Sequence, residues 1–296
     1  MIKPKSRQIS GMRPIFIILF LLFPALAIAQ ENTVQGDHQM YRKEVLKNMQ
    51  KVMGNLPKRT AIKRFDIQVI DSVKESGFIR YNILFTVENN EVLPLYLYVP
   101  EQAGTPKKLP AMLVLHETDP LARKAVDGQG NKANRSHARE LAQRGYIVIA
   151  PDFPSFGDSK DYNFDTDRYK SGTMKGIYNH MRCIDLLQSR ADVDAENIGV
   201  LGHSLGGHNS IFLAAMDERI KVAVSSCGWT QLDFYNIGAE AEKKYGGRLG
   251  PWAQTRYMPL LRTKYNLDNK KVPFDFNLMI AAIAPRAFFS VSPSRD

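Results

Sequence analysis

The most constraining stretch of this chain is Asn197-Ile198-Gly199-Val200-Leu201-Gly202-His203-Ser204-Leu205-Gly206-Gly207-His208. Residues 198–201 are a short apolar run that reads as a buried strand, and after Asn209 an apolar helical pattern begins with Ile211, Phe212, Leu213, Ala214 and Ala215. Between strand and helix sits Gly202-x-Ser204-x-Gly206. A serine at such a turn is held in a strained conformation, and side chains on its neighbours would collide with strand or helix, so glycines flank it. Its hydroxyl is thereby exposed above the sheet edge, at the amino end of a helix whose dipole favours developing negative charge.

The flanking pattern agrees with a strand–turn–helix architecture. Residues 110–115, 146–150 and 222–225 are further continuous apolar strands. Helical patterns lie between them: one capped by Asn134 or Ser136, running to Arg144 and closed by Gly145, and one marked by Met174, Ile177, Met181 and Ile184. Continuous apolar strands alternating with amphipathic helices imply a mostly parallel central sheet with helices on both faces. Upstream, Phe65, Ile67 and Val69 alternate with polar residues, which predicts a half-buried strand, and residues 78–87 and 92–99 add two more as an antiparallel opening of the sheet. Residues 40–53 read as a surface helix with Tyr41, Val45, Met49 and Met53 on one face, residues 122–132 as a loop, and residues 282–291 as a last strand. Residues 231–279 lack clear periodicity until Phe276 and read as a cap-like insertion. Its aromatics (Phe234, Tyr235, Tyr245, Trp252, Tyr257) suit either a substrate cleft or packing against the core.

Residues 1–29 read as a cleaved signal peptide. Lys3, Lys5, Arg7 and Arg13 precede an apolar run over residues 15–26, and Ala27-Ile28-Ala29 supplies a cleavage site before Gln30. The run is short for a membrane span and broken by Pro24, so a secreted or periplasmic protein without a stable membrane anchor is expected. Residues 30–59 then form an N-terminal helical segment and residues 60–296 the main domain. Removing the four basic residues of the leader reduces the formal charge of +10 to 36 − 30 = +6, scattered among acids, which argues for a solvated surface and against nucleic acid as a partner. Cys183 and Cys227 read as two small buried thiols, and neither their number nor their spacing suggests a metal site or a cofactor.

Gly202-His203-Ser204-Leu205-Gly206-Gly207, with Leu113-Val114-Leu115-His116 upstream and Ala284-Pro285-Arg286-Ala287-Phe288-Phe289 downstream, resembles the α/β-hydrolase fold. Within it, the chain resembles secreted bacterial dienelactone hydrolase-like and acetyl xylan esterase-like proteins over roughly residues 60–296. The resemblance implies an eight-stranded, mostly parallel sheet and a serine–acid–histidine triad in that chain order. It makes Ser204 the nucleophile of a carboxylic ester hydrolase acting on a small-molecule or carbohydrate ester. The backbone N–H of Leu205 becomes one oxyanion donor and that of Glu117 a second. Asp296, after the seventh strand, matches the acid, with Asp233 as an alternative position. The triad histidine would follow the acid, yet His38, His116, His137, His180, His203 and His208 all precede Asp296. The chain is therefore expected to lack the last strand and helix of the fold, as a truncated or a degenerate copy. His208 and His116 are the remaining, poorer choices of base. A prolyl oligopeptidase-type peptidase and an inactive hydrolase-like protein are the alternatives.

Overall fold

The computed structural model describes residues 36–59, 65–88, 91–165 and 167–292, so the leader assigned to residues 1–29 lies outside the described residues. Residues 36–44 are helical and fall in a unit separate from the main one, which begins at Val45. The main unit opens with helix α1 (residues 45–53). Val45, Met49, Val52 and Met53 are buried in the core, so this is not the surface helix expected: its apolar stripe is a packing face.

Eight strands follow, β1 Ile67–Glu75, β2 Phe78–Glu88, β3 Glu91–Pro100, β4 Leu109–Leu115, β5 Ile147–Pro151, β6 Val193–His203, β7 Val222–Ser226 and β8 Ala287–Val291. They form one sheet in the order β1-β2-β3-β5-β4-β6-β7-β8. β1, β2 and β3 make an antiparallel meander, β3 runs antiparallel to β5, and the pairs β5–β4, β4–β6, β6–β7 and β7–β8 are parallel. From β4 the chain goes first to one side and then to the other, which makes the carboxyl ends of β4 and β6 a topological switch point, where open α/β sheets place ligands.

Seven further helices are described: α2 Arg123–Val126, α3 His137–Gln143, α4 Gly172–Ser189, α5 Leu205–Met216, α6 Ala239–Tyr245, α7 Leu260–Thr263 and α8 Phe276–Ile283. Strand β4 shows how the two faces are covered. Ala111, Leu113 and Leu115 point into a core shared with α1, α4, α5 and α8, whereas Met112 and Val114 point into a smaller one with Val126, Ala138 and Ala142 of α2 and α3. The expected α/β-hydrolase architecture, a mostly parallel sheet with helices on both faces, is therefore present.

Four local expectations differ. β1 is exposed along almost its whole length, with Val69 at 56 % and Ile70 at 50 %, because it is the outermost strand and its alternation finds no opposing layer; only Phe65, just before it, packs on the core. The segment 122–132 contains the short α2. Ala282 and Ile283 belong to α8, and the last strand starts only at Ala287. Cys183 is buried but Cys227 is exposed, because it stands just past the carboxyl end of β7 and outside the packed layers.

Candidate active site

Ser204 joins β6 to α5 with φ 52° and ψ −116°, a conformation that L-residues adopt at a cost of about 1–3 kcal/mol. The surrounding backbone holds it there. Its N–H donates to the Ser226 carbonyl at 2.8 Å, and its own carbonyl accepts from the His208 N–H at 3.0 Å. The glycines around it are required by contact. A Cβ on Gly202 would lie 2.2 Å from the Gly206 carbonyl carbon, and one on Gly206 would lie 2.0 Å from the Leu115 carbonyl oxygen. Gly207 and Gly228 press on each other in the same way, so α5, the end of β4 and the exit of β7 meet backbone to backbone.

That contact sets the amino end of α5 beside the loop leaving β4. The Leu205 N–H is the first of α5, where no carbonyl of the helix can reach it. On the loop, His116 is buried with both ring nitrogens engaged: Nδ1 donates to the Glu117 carbonyl at 2.6 Å and Nε2 accepts the Phe153 N–H at 2.9 Å. Burial lowers its pKa, which favours this neutral form. The Glu117 carboxylate is buried as well, accepting from Arg135 Nε at 3.0 Å and Lys132 Nζ at 3.4 Å. The loop is thus pinned through a ring on one side and an ion pair on the other.

The histidines nearest Ser204 along the chain, His203 and His208, have other partners. His208 lies one helical turn on, but its ring stacks on Trp252 (centroids 4.2 Å apart, planes 4° apart) and meets Phe212 and Phe276 edge-on. It hydrogen-bonds the Gly228 backbone, Nε2 is buried without a protein partner, and burial brings its pKa down to about 3. His180 is buried against Phe153 and is likewise held down at about 3 by desolvation; it packs, and so does the half-buried His137. His203 bonds Ser226 Oγ at 3.1 Å through Nδ1. His116 and His208, considered as bases from sequence, are therefore engaged in packing and in holding backbone.

Asp233 is turned to the surface of the 231–279 segment, where Lys270 at 2.7 Å and Asn269 hold its carboxylate and the lysine's hydrogen bond lowers its pKa. Asp296 lies outside the described residues. The strand before it is placed, however: the Val291 carbonyl accepts the Cys227 N–H at 2.7 Å, and Ser292 already lines the same cavity as Ser204.

This cavity, about 540 Å³, opens between Ser204, the β7 exit at Cys227, Gly228 and Trp229, and the segment from Leu232 to Phe276. Of the aromatics singled out in the sequence, Phe234, Tyr235 and Trp252 line it, whereas Tyr257 is buried beside Phe153 and Phe156. The segment is thus divided: some of its aromatic rings line the cavity and others pack on the core. Cys227, at φ 49°, and Trp229, whose Nε1 donates to Ser290 Oγ at 2.9 Å, belong to the site although the motif did not point to them. Their signal in the sequence was position, directly after a parallel strand neighbouring β6. Among the described residues there is no cluster of metal-ligating side chains, and no helix is long and apolar enough to cross a membrane.

A strained serine at a strand–helix turn, on a sheet of this order, defines the fold: the chain has the α/β-hydrolase fold. Comparison with known proteins narrows the neighbourhood. A family profile described as "Glucuronyl esterase, fungi" matches residues 162–296. A Bacillus subtilis (strain 168) protein named as a hydrolase, YtaP, is 29 % identical over 205 residues, which cover 66 % of each chain. Carbohydrate esterase MZ0003, from an unknown prokaryotic organism, is 27 % identical over 186 residues, or 57 % of this chain and 41 % of that one. The chain thus spans from about two fifths to just under two thirds of the length of these relatives. Among solved structures, the glucuronoyl esterase from Solibacter usitatus superposes with a TM-score of 0.61 at 19 % identity, covering 86 % of this chain and 74 % of its own. A methylesterase, BT1017, reaches 0.59 at 17 % identity, over 88 % and 51 %.

Proposed function

We propose that this protein is a serine esterase that cleaves carboxylic esters, including acyl groups borne on carbohydrate, through an acyl-enzyme on Ser204. Ser204 Oγ attacks the ester carbonyl and its proton passes to a histidine base, which in the family resembled follows the acid in chain order. The N–H groups of Leu205 and Glu117 bind the oxygen that becomes negative, and the base then protonates the departing alcohol. Water repeats the sequence on the acyl-enzyme and releases the acid. Each oxyanion donor is worth about 3 kcal/mol in comparable sites. We assign Asp296 as the acid that orients the base, residues 1–29 as a leader for secretion or export to the periplasm, and the segment 231–279 as a cap.

The observation that carries this reading is the conformation of Ser204, φ 52° in the lining of a cavity, with the first N–H of α5 beside it. Relatives named as carbohydrate and glucuronoyl esterases support the ester as substrate, and neither the peptidase nor the inactive-protein reading is favoured by them. A fluorophosphonate probe should label the folded parent on Ser204, and hydrolysis of 4-nitrophenyl esters should disappear in Ser204→Ala. Equal hydrolysis by parent and variant refutes the assignment.

A further inference from the structure

The two N–H groups assigned to the oxyanion stand on separate elements, Leu205 at the start of α5 and Glu117 on the loop leaving β4. Their spacing depends on what packs around both. The Leu205 side chain is buried in a small cluster with Ala122, Phe153, Phe156 and Tyr257. Ala122 and the two phenylalanines come from the loops after β4 and β5, and Tyr257 brings in the segment 231–279.

The main chain of Tyr257 is tied down. Its N–H donates to the Gln254 carbonyl at 2.8 Å and its carbonyl accepts the Thr173 N–H at 3.1 Å, while the Gly172 N–H donates to the Thr255 carbonyl at 3.1 Å. Gly172 and Thr173 open α4, where the helix has no carbonyls to offer their N–H groups. A Cβ on Gly172 would lie 2.2 Å from the Arg256 carbonyl oxygen, so helix and segment meet backbone to backbone. From this base the Tyr257 ring packs beside Phe153 and Trp252, with centroids 6.3 and 5.3 Å away. Its hydroxyl, kept un-ionised by burial, hydrogen-bonds the side chain of Thr118. Thr118 is the residue directly after Glu117.

Resting on the esterase reading, we propose that Tyr257 is a positioning residue of the oxyanion hole: its ring packs with Leu205, and its hydroxyl, through Thr118, fixes the loop that presents the Glu117 N–H. The segment 231–279 thereby takes part in the chemistry as well as lining the cavity. Oxyanion donors act in the transition state, so a lost anchor lowers kcat and kcat/KM together and leaves KM alone. Since a displacement near 1 Å costs about a hundredfold in rate, a shift of roughly half that size costs about tenfold.

Tyr257→Phe keeps the ring in its cluster and removes the hydroxyl; Thr118→Val, at an exposed position, removes the other end of the same bond. In hydrolysis of 4-nitrophenyl acetate by the full chain, each variant should lose about tenfold in kcat with KM within about twofold. The double variant should lose no more than either single one, because both cut one bond. Parent kcat in either single variant overturns the proposal. So do losses that multiply in the double variant, and so does a raised KM at unchanged kcat, the mark of a residue that only shapes the cavity. Fluorophosphonate labelling of the parent tells the two readings apart. A labelled parent with any of those three results overturns the assignment of Tyr257 alone, whereas a parent that neither labels nor hydrolyses the ester overturns the esterase and this proposal with it.

Discussion

Gly206 offers the sharpest test of how the site is held. In Gly206→Ala the new Cβ would sit 2.0 Å from the Leu115 carbonyl oxygen, 2.6 Å from its carbon and 3.0 Å from the His116 oxygen. All three are main-chain atoms, so no side-chain rotation relieves the overlap. Restoring van der Waals contact requires α5 and the end of β4 to separate by on the order of 1 Å. Overpacking of this kind costs about 1–3 kcal/mol. For a chain of this size about 2 kcal/mol lowers the melting temperature by about 4–8 °C. The same separation moves the Leu205 N–H away from the Glu117 loop, and a displacement near 1 Å in a reacting geometry costs about a hundredfold in rate. Gly77→Ala is the comparator, because Gly77 has φ +89° but nothing within 4 Å of the added atom. It should show only the strain of a left-handed alanine, about 1 kcal/mol, and no change in the rate of Ser204 labelling. Thermal melts and fluorophosphonate labelling, run in parallel on both variants, check this. A Gly206→Ala protein that melts within a degree of the parent and labels at the parent rate refutes the argument.

Three other outcomes are expected. His180 and His208 are held neutral down to about 3 in the folded chain but take up protons near 6.5 once unfolded. Between those values the unfolded state binds more protons, so stability is complete above about pH 6.5 and falls as the pH drops toward 3, by at most roughly 3 kcal/mol per pH unit for the two together. Urea midpoints from pH 7 to pH 4 read this, and His180→Phe should flatten the slope. Lys175 is fully buried between Glu88 at 3.4 Å and Glu91 at 2.7 Å, with its ammonium over Tyr169 and Tyr178; Lys175→Met should cost about 3 kcal/mol in chemical unfolding and leave Ser204 labelling unchanged. Thiol titration of the native protein should find one fast cysteine, Cys227, and one that reacts only after unfolding, Cys183; a bulky reagent on Cys227 should block Ser204 labelling, because that thiol lines the same cavity.

Much of the fold could be read from the chain because its constraints are local. The apolar runs of β4, β5 and β6 are buried on both faces and so are continuous in sequence, and the glycines about Ser204 are needed by contacts within one turn and its immediate neighbours. What could not be read depends on partners far along the chain. His208 is one helical turn from the serine, and only the arrival of Trp252 and Phe276 makes it a packing residue. The alternation of Ile67 and Val69 promised a covered face, but burial of a strand is decided by where it falls in the sheet, and β1 falls at its edge. Asp233 had the spacing of an acid, and Lys270 and Asn269, thirty-six residues and more away, claim it. The division of the segment 231–279 between cavity wall and core was equally invisible, since Trp252 and Tyr257 are only five residues apart and only Trp252 lines the cavity.

The backbone-to-backbone seam at Gly202, Gly206, Gly207 and Gly228 also divides the protein by how freely it can vary. On one side of the cavity, a Cβ at Gly202, Gly206 or Gly228 would overlap main-chain atoms at 2.0–2.5 Å, and one at Gly207 would be tight at 2.9–3.0 Å. On the other, the walls contributed by residues 231–279 are side chains of a segment that meets no main-chain seam of that kind at the serine, so they can be exchanged for larger, smaller or more polar ones without disturbing the turn.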